Sequence, residues 1–131
     1  MKHLFLKDNN GQAMVELALV LPILLVLFMG VVEFGRIFHS YLIITNASRE
    51  GARVAITGKS DADIEARVDL TTSSLEKTEV TTTISPAQSL RRSGSLATVE
   101  VKYNVDLIFP LFDLFVPDPL PISASTTMRV E

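Results

Sequence analysis

The sequence predicts an α+β protein with a long N-terminal transmembrane α-helix that continues into a small outer domain of one short helix and an antiparallel β-sheet of about three strands. Three observations carry this expectation. Leu17 to Val32 contains no charged residue. A helical period continues past that run, with apolar and small residues returning every three or four positions. The second half of the chain alternates apolar and polar residues and is rich in threonine and valine, the period-two pattern of half-buried strands.

The first element is the apolar segment. From Ala13 to Val32 only Glu16 is charged. A helix of that length spans about 30 Å, enough for the hydrocarbon core of a bilayer. The mean hydropathy of the whole chain, +0.33, owes its sign to this stretch. A secretory signal would leave the run through small residues in an Ala-x-Ala pattern. Here the exit is Val31-Val32-Glu33-Phe34-Gly35-Arg36, bulky and charged, so the segment reads as an anchor that stays. Lys2 and Lys7 precede the run and acidic residues outnumber basic ones after it. Lysine and arginine stay on the cytoplasmic side, which predicts a cytoplasmic N-terminus and an outer body.

Two residues interrupt the segment. Pro22 removes one backbone donor and is expected to kink the helix, which bilayer helices tolerate. Glu16 is a carboxylate at the edge of lipid, a cost of about 2–3 kcal/mol on insertion scales unless it reaches the headgroups or finds a partner.

The helical pattern then extends over Phe34, Ile37, Tyr41, Ile44, Ser48, Gly51 and Ala55, one face whose side chains shrink along the chain. Asn46, Glu50, Arg53 and Thr57 form the opposite polar stripe, and Gly58 suits a left-handed helix end. The expected division is 1–11 as a basic cytoplasmic leader, 12–33 as the transmembrane helix, 34–58 as its extramembrane continuation and 59–131 as the outer α+β domain.

Three blocks then acquire a joint meaning. They are Gly11-Gln12-Ala13-Met14-Val15-Glu16 leading into Leu17 to Pro22, then Glu33-Phe34-Gly35-Arg36, then Arg49-Glu50-Gly51-Ala52-Arg53. In this order and spacing they resemble the TadE-like (TadE/TadG) family of the tight-adherence, or Flp, pilus machinery. The resemblance implies a pilin-like fold and a membrane-anchored minor pseudopilin or assembly factor of a type IVb-like pilus. It implies a place in a bacterial inner membrane, with the C-terminal domain periplasmic or extracytoplasmic, or incorporation in a pilus. Its partners would be membrane lipid, other pilins and pseudopilins, and pilus assembly proteins. A prepilin peptidase would cut between Gly11 and Gln12, and the new cationic amine at Gln12 would pair with Glu16 of a neighbouring subunit in low dielectric. Cleaved pseudopilins of this system often carry tyrosine after the glutamate, where this chain has Leu17. An alternative reading therefore stands beside the first: an uncleaved single-pass envelope protein whose outer domain binds a partner of the pilus or secretion machinery.

The outer domain opens with Ser60-Asp61-Ala62-Asp63, a capping box, and an amphipathic face at Ile64, Val68, Thr71 and Leu75. Strands are expected over 79–85, 96–105 and 122–130. Between the first two, Arg91 and Arg92 stand in a polar loop that reads as a solvated turn. Between the last two, 107–121 holds four prolines and three phenylalanines. It reads either as a lid folded on the sheet or as an exposed patch that docks a subunit or dips toward the bilayer.

No catalytic constellation, phosphate loop or paired metal ligands stand out, so no enzyme activity, cofactor, metal or small-molecule substrate is expected. The absence of cysteine removes thiolate chemistry and disulfides. A net charge of −3 argues against a nucleic-acid partner.

Overall fold

The computed structural model describes residues 9–131. The leader's Lys2, Lys7 and Asp8 lie outside the described residues.

Helix α1 runs from Asn9 to Ala55 without a break and contains Pro22. At 1.5 Å per residue its 47 residues span about 70 Å. It is already helical at the first described residue, so its start relative to the expected Gln12 lies at the edge of the described residues. It ends near the expected place, through a turn in which the Gly58 amide donates to the Ala55 carbonyl and Gly58 takes φ +73°. That left-handed conformation costs glycine little and turns the chain back toward the head.

Helix α2 spans Asp61–Thr71. Ser60 caps it: the Asp63 amide donates to the Ser60 hydroxyl, and the Ser60 amide donates to the Asp63 carboxylate, so the box closes in both directions. Ile64 and Val68 are buried. The third apolar contact falls on Thr72, just past the helix, rather than on Thr71. The Thr72 hydroxyl donates to the Val68 carbonyl, which lets a polar side chain sit in the core.

Strands β1 (Val80–Ser85), β2 (Leu96–Val105) and β3 (Leu120–Arg129) form one antiparallel sheet in the order β1-β2-β3. Val101 faces Thr82 on one side and Ala124 on the other. In the central strand Ala97, Val99, Val101 and Val105 are buried, while Thr98 and Lys102 lie on the other face. The second half of α1 packs across β2 and β3, and α2 packs beside it against α1 and the β1 edge. The core is thus a two-layer sandwich of helices on one sheet face. The chain end closes the design. Val130 exchanges backbone bonds with Gly94 and Ser95, and the Glu131 amide donates to the Ile56 carbonyl.

The contact face of α1 needs correction at its lower end. Ile44, Ser48, Gly51 and Ala55 are buried as expected, but Phe34 and Tyr41 are exposed and their places are taken by Glu33 and Ser40. The buried stripe therefore lies one position to the side of the expected one there. Apolarity misled the pattern because Phe34 continues the exposed apolar band of the first half of α1: it stacks on Phe38, ring centroids 6.3 Å apart.

The arginine loop is a second correction. Arg91 is not solvated: its side chain is 3 % exposed and forms an ion pair with Asp61 at the start of α2. A guanidinium can bury its stem and set one nitrogen on a carboxylate, which composition alone does not reveal; the other terminal nitrogen, Nη1, is buried without a partner among the described residues.

Candidate functional site

The candidate site is α1 itself, which changes its surroundings along its length. From Gly11 to Phe28 every residue is exposed, and this is the stretch long and apolar enough to cross a membrane. A core helix of a soluble domain would be covered by its own chain; none of this window is buried. Gly11 and Gln12 lie in the first turns of the helix and are exposed. A side chain at Gly11 would meet nothing within 4 Å. An extended backbone at this position would need the first turn to unwind, and glycine lowers that cost by about 1 kcal/mol relative to alanine. Glu16 follows Gln12 by four residues on the same helix face and is exposed.

At the upper end of the apolar run the helix meets the segment between β2 and β3. Glu33 is 2 % exposed. Its carboxylate accepts from Arg36 at 2.7 Å and from the backbone N–H of Ile108 at 3.2 Å. Arg36 reaches on to the Asp106 carbonyl at 3.4 Å. A buried carboxylate is tolerable only when paired and hydrogen-bonded, and here one side chain satisfies both needs while fastening a distant loop to the helix. Asp118 ties the same loop from its other end by accepting from the Leu107 amide at 3.1 Å. Between them Pro110–Leu114 forms a short 3₁₀ turn. Phe112, Val116 and Leu120 face Gly30, Phe34 and Ile37 across a groove of about 240 Å³. The segment therefore lies along α1 and not as a lid over the sheet, whose inner face α1 occupies. Gly35 faces open space.

Farther up, small residues do what bulky ones could not. A Cβ on Gly51 would stand 3.0 Å from Val68 Cγ2 and from Val99 Cγ1. Glycine gives α1, α2 and β2 their close approach here, since a Cβ would push the two valines aside by a few tenths of an ångström, and Ala52 beside it is fully buried. Ser48 is buried with its hydroxyl 2.9 Å from the Thr45 carbonyl and 2.8 Å from Thr126 Oγ1. Arg49 is exposed, and so is Arg53, which pairs with Glu50 at 3.3 Å. Glu50 also takes two bonds from Arg67 of α2, the shorter 2.8 Å. The Arg67 hydrogen bond, followed by the charge of Arg53, holds the Glu50 carboxyl below its ordinary range. Bonds from the Ser60 hydroxyl and amide do the same for Asp63. These groups line a cleft of about 480 Å³ between α1 and α2, but they are spent on one another and on the cap.

The structure thus distributes the expected residues over three stations: Gly11, Gln12, Glu16 and Pro22 on bare helix, Glu33 to Arg36 at the loop clasp, and Arg49 to Arg53 in the packed head. It brings none of them into a catalytic cluster. Among the described residues no group of three or more His, Asp or Glu is placed to hold a metal ion. Residue spacing did not reveal the Glu33–Ile108 bond or the Glu50–Arg67 pair. The one signal available was the i,i+3 pairing of Glu33 with Arg36 and of Glu50 with Arg53.

Such a molecule is a stalk-and-head protein: one helix that is bare and apolar along its first half, long enough to cross a membrane, and a core element of a small domain along its second. Comparison with known families gives the class a more particular form. Residues 11–53 match the family model described as TadE-like protein, the family that the three motif blocks resemble. All three blocks fall inside the match, while α2 and the sheet lie outside it. No curated protein and no solved structure matches the chain.

Proposed function

We propose that this protein is a membrane-anchored minor pseudopilin or assembly factor of a tight-adherence, Flp-type pilus. The observation that carries the reading is the continuity of α1. A bare apolar half and a packed half share one unbroken helix, and the TadE-like match covers the length that joins them. A helix of this kind can pass laterally from lipid into a bundle of like helices while the head stays folded. Glu16 supplies the polar handle: in lipid a carboxylate seeks a cation, and the amine that cleavage at Gly11 would free on Gln12 of a neighbour is a fitting partner. The head, with its cleft of mutually paired charges, serves as a contact surface and not as a catalyst.

The deciding measurement is the mature N-terminus, read by mass spectrometry on protein from cells with an active prepilin peptidase. A chain beginning at Gln12 supports the pseudopilin reading; one beginning at Met1 removes it and leaves the uncleaved envelope protein. Glu16→Ala separates the two in function. Pilus assembly falls in the variant if the carboxylate pairs between subunits, and stays at the wild-type level if Glu16 merely sits among headgroups.

A further inference from the structure

We propose that the segment 108–116 is a second membrane contact, a shallow foot that the head sets into the headgroup–acyl boundary beside α1. The inference rests on the anchor reading of α1 and adds to it a site of lipid contact in the outer domain.

The first observation is depth. Phe112 reaches back along α1 until its Cζ stands 3.5 Å from where a Cβ on Gly30 would be. Gly30 belongs to the uncharged run, two residues before its end at Val32, so the Phe112 ring lies about 3 Å inside that end. A head that merely stood on the membrane would stop short of this level.

The second is what the segment leaves uncovered. Leu114 is 75 % exposed and Phe115 80 %, with Ile108 and Leu111 also exposed. Their segment lies on α1, where Phe112 and Val116 line a groove with Gly30, Phe34 and Ile37 at the end of the apolar run. Interfacial elements bury their apolar side about 5–10 Å into the boundary; Phe112 marks the shallow edge of that depth, and the exposed Leu114 and Phe115 supply the side chains that would enter it. Asp113 in the same turn sets a limit, because a carboxylate must stay at the headgroups.

The third is the clasp. Glu33 stands where the apolar run ends, a poor place for a charge facing lipid. The foot covers it, and the Ile108 amide and Arg36 occupy its oxygens. The contact that holds the foot down is thus the one that keeps the carboxylate out of lipid.

Lipid is favoured over a second copy of the chain because the patch is continuous with a surface that already faces acyl chains. The chain has no cysteine, so single substitutions place one label each. Full-length Leu24→Cys, Leu114→Cys and Ser123→Cys, each carrying an environment-sensitive fluorophore, would be reconstituted into phosphatidylglycerol–phosphatidylethanolamine vesicles with shallow or deep quencher lipids. The expected result is deep quenching at position 24, a blue shift with shallow quenching at 114, and neither at 123. Adding Glu33→Ala should return the signal at 114 toward that at 123. Quenching at 24 without quenching at 114 overturns the foot and spares the anchor; loss at both overturns the anchor and the foot together. A blue shift at 114 that depends on protein concentration and not on quencher lipid assigns the patch to a second copy and overturns the proposal.

Discussion

The two halves of α1 obey the same helical geometry and solve opposite problems. Below Phe28 the helix offers leucine, valine and isoleucine on every side, and nothing among the described residues covers them. Above Glu33 it offers a narrow stripe of Ser40, Ile44, Ala47, Ser48, Gly51 and Ala52, all covered by α2 and the sheet. The lower half asks only that its surroundings be apolar, so the identity of each residue matters little. The upper half asks for a shape, so single atoms matter. Hydrophobicity summed over a span drives insertion, whereas close packing drives the head.

The sharpest way to break this contrast is to put bulk on the upper half. Gly51→Leu should cost about 3 kcal/mol or more, because a Cβ alone already stands 3.0 Å from Val68 and Val99 and the rest of a leucine side chain has no space beyond it. Thermal unfolding of the full chain in detergent, followed by near-ultraviolet dichroism, reads the loss. Gly35→Ala on the same helix faces open space and should raise stability by up to about 1 kcal/mol. If both glycines respond alike, the distinction between packed and unpacked faces fails.

On the lower half the equivalent injury is charge. Leu24→Arg should cost about 3 kcal/mol of insertion and shift protein out of the carbonate-resistant membrane fraction. The melting of the head should not move, since Leu24 touches none of it; a lowered melting point would mean that the halves are coupled. The next effect is smaller and sharpens the role of α2, which covers the upper half. Ser60→Ala removes the cap of α2 and should cost about 1 kcal/mol, measurable in the same unfolding experiment.

The smallest effect is electrostatic. Arg67 and Arg53 hold the Glu50 carboxyl below its ordinary value. A carboxyl lowered in the folded state contributes stability above its unfolded pKa and loses it as pH falls through the folded one. The advantage of the wild type over Glu50→Gln should therefore be full near neutrality and vanish on the acid side of the ordinary carboxylate range. An advantage that persists into acid would show that Glu50 acts by packing and not by charge.

Much of this was legible along the chain because it depends on local repetition. The uncharged run from Leu17 to Val32, the capping box at Ser60 and the alternation of Val99, Val101 and Tyr103 each follow from a period that neighbouring residues share. Gly51 also declared itself, since a helix face that shrinks to glycine announces a close approach. What stayed hidden depends on residues far apart in sequence. Nothing near Arg91 names Asp61 as its partner, thirty residues away. Nothing near Glu33 names the Ile108 amide, seventy-five residues on. Periodicity also favoured Phe34 over Glu33 for the buried stripe, because apolarity is the only cue it weighs.

By itself, then, the order of residues determined that a long apolar helix leads a small head of one helix and three strands, since hydropathy and backbone preference act between near neighbours. Tertiary structure alone decided where that helix turns its buried side and that the proline-rich segment clasps it at Glu33. Those choices come from hydrogen bonds and steric fit between distant side chains, which exist only after the chain has folded back on itself.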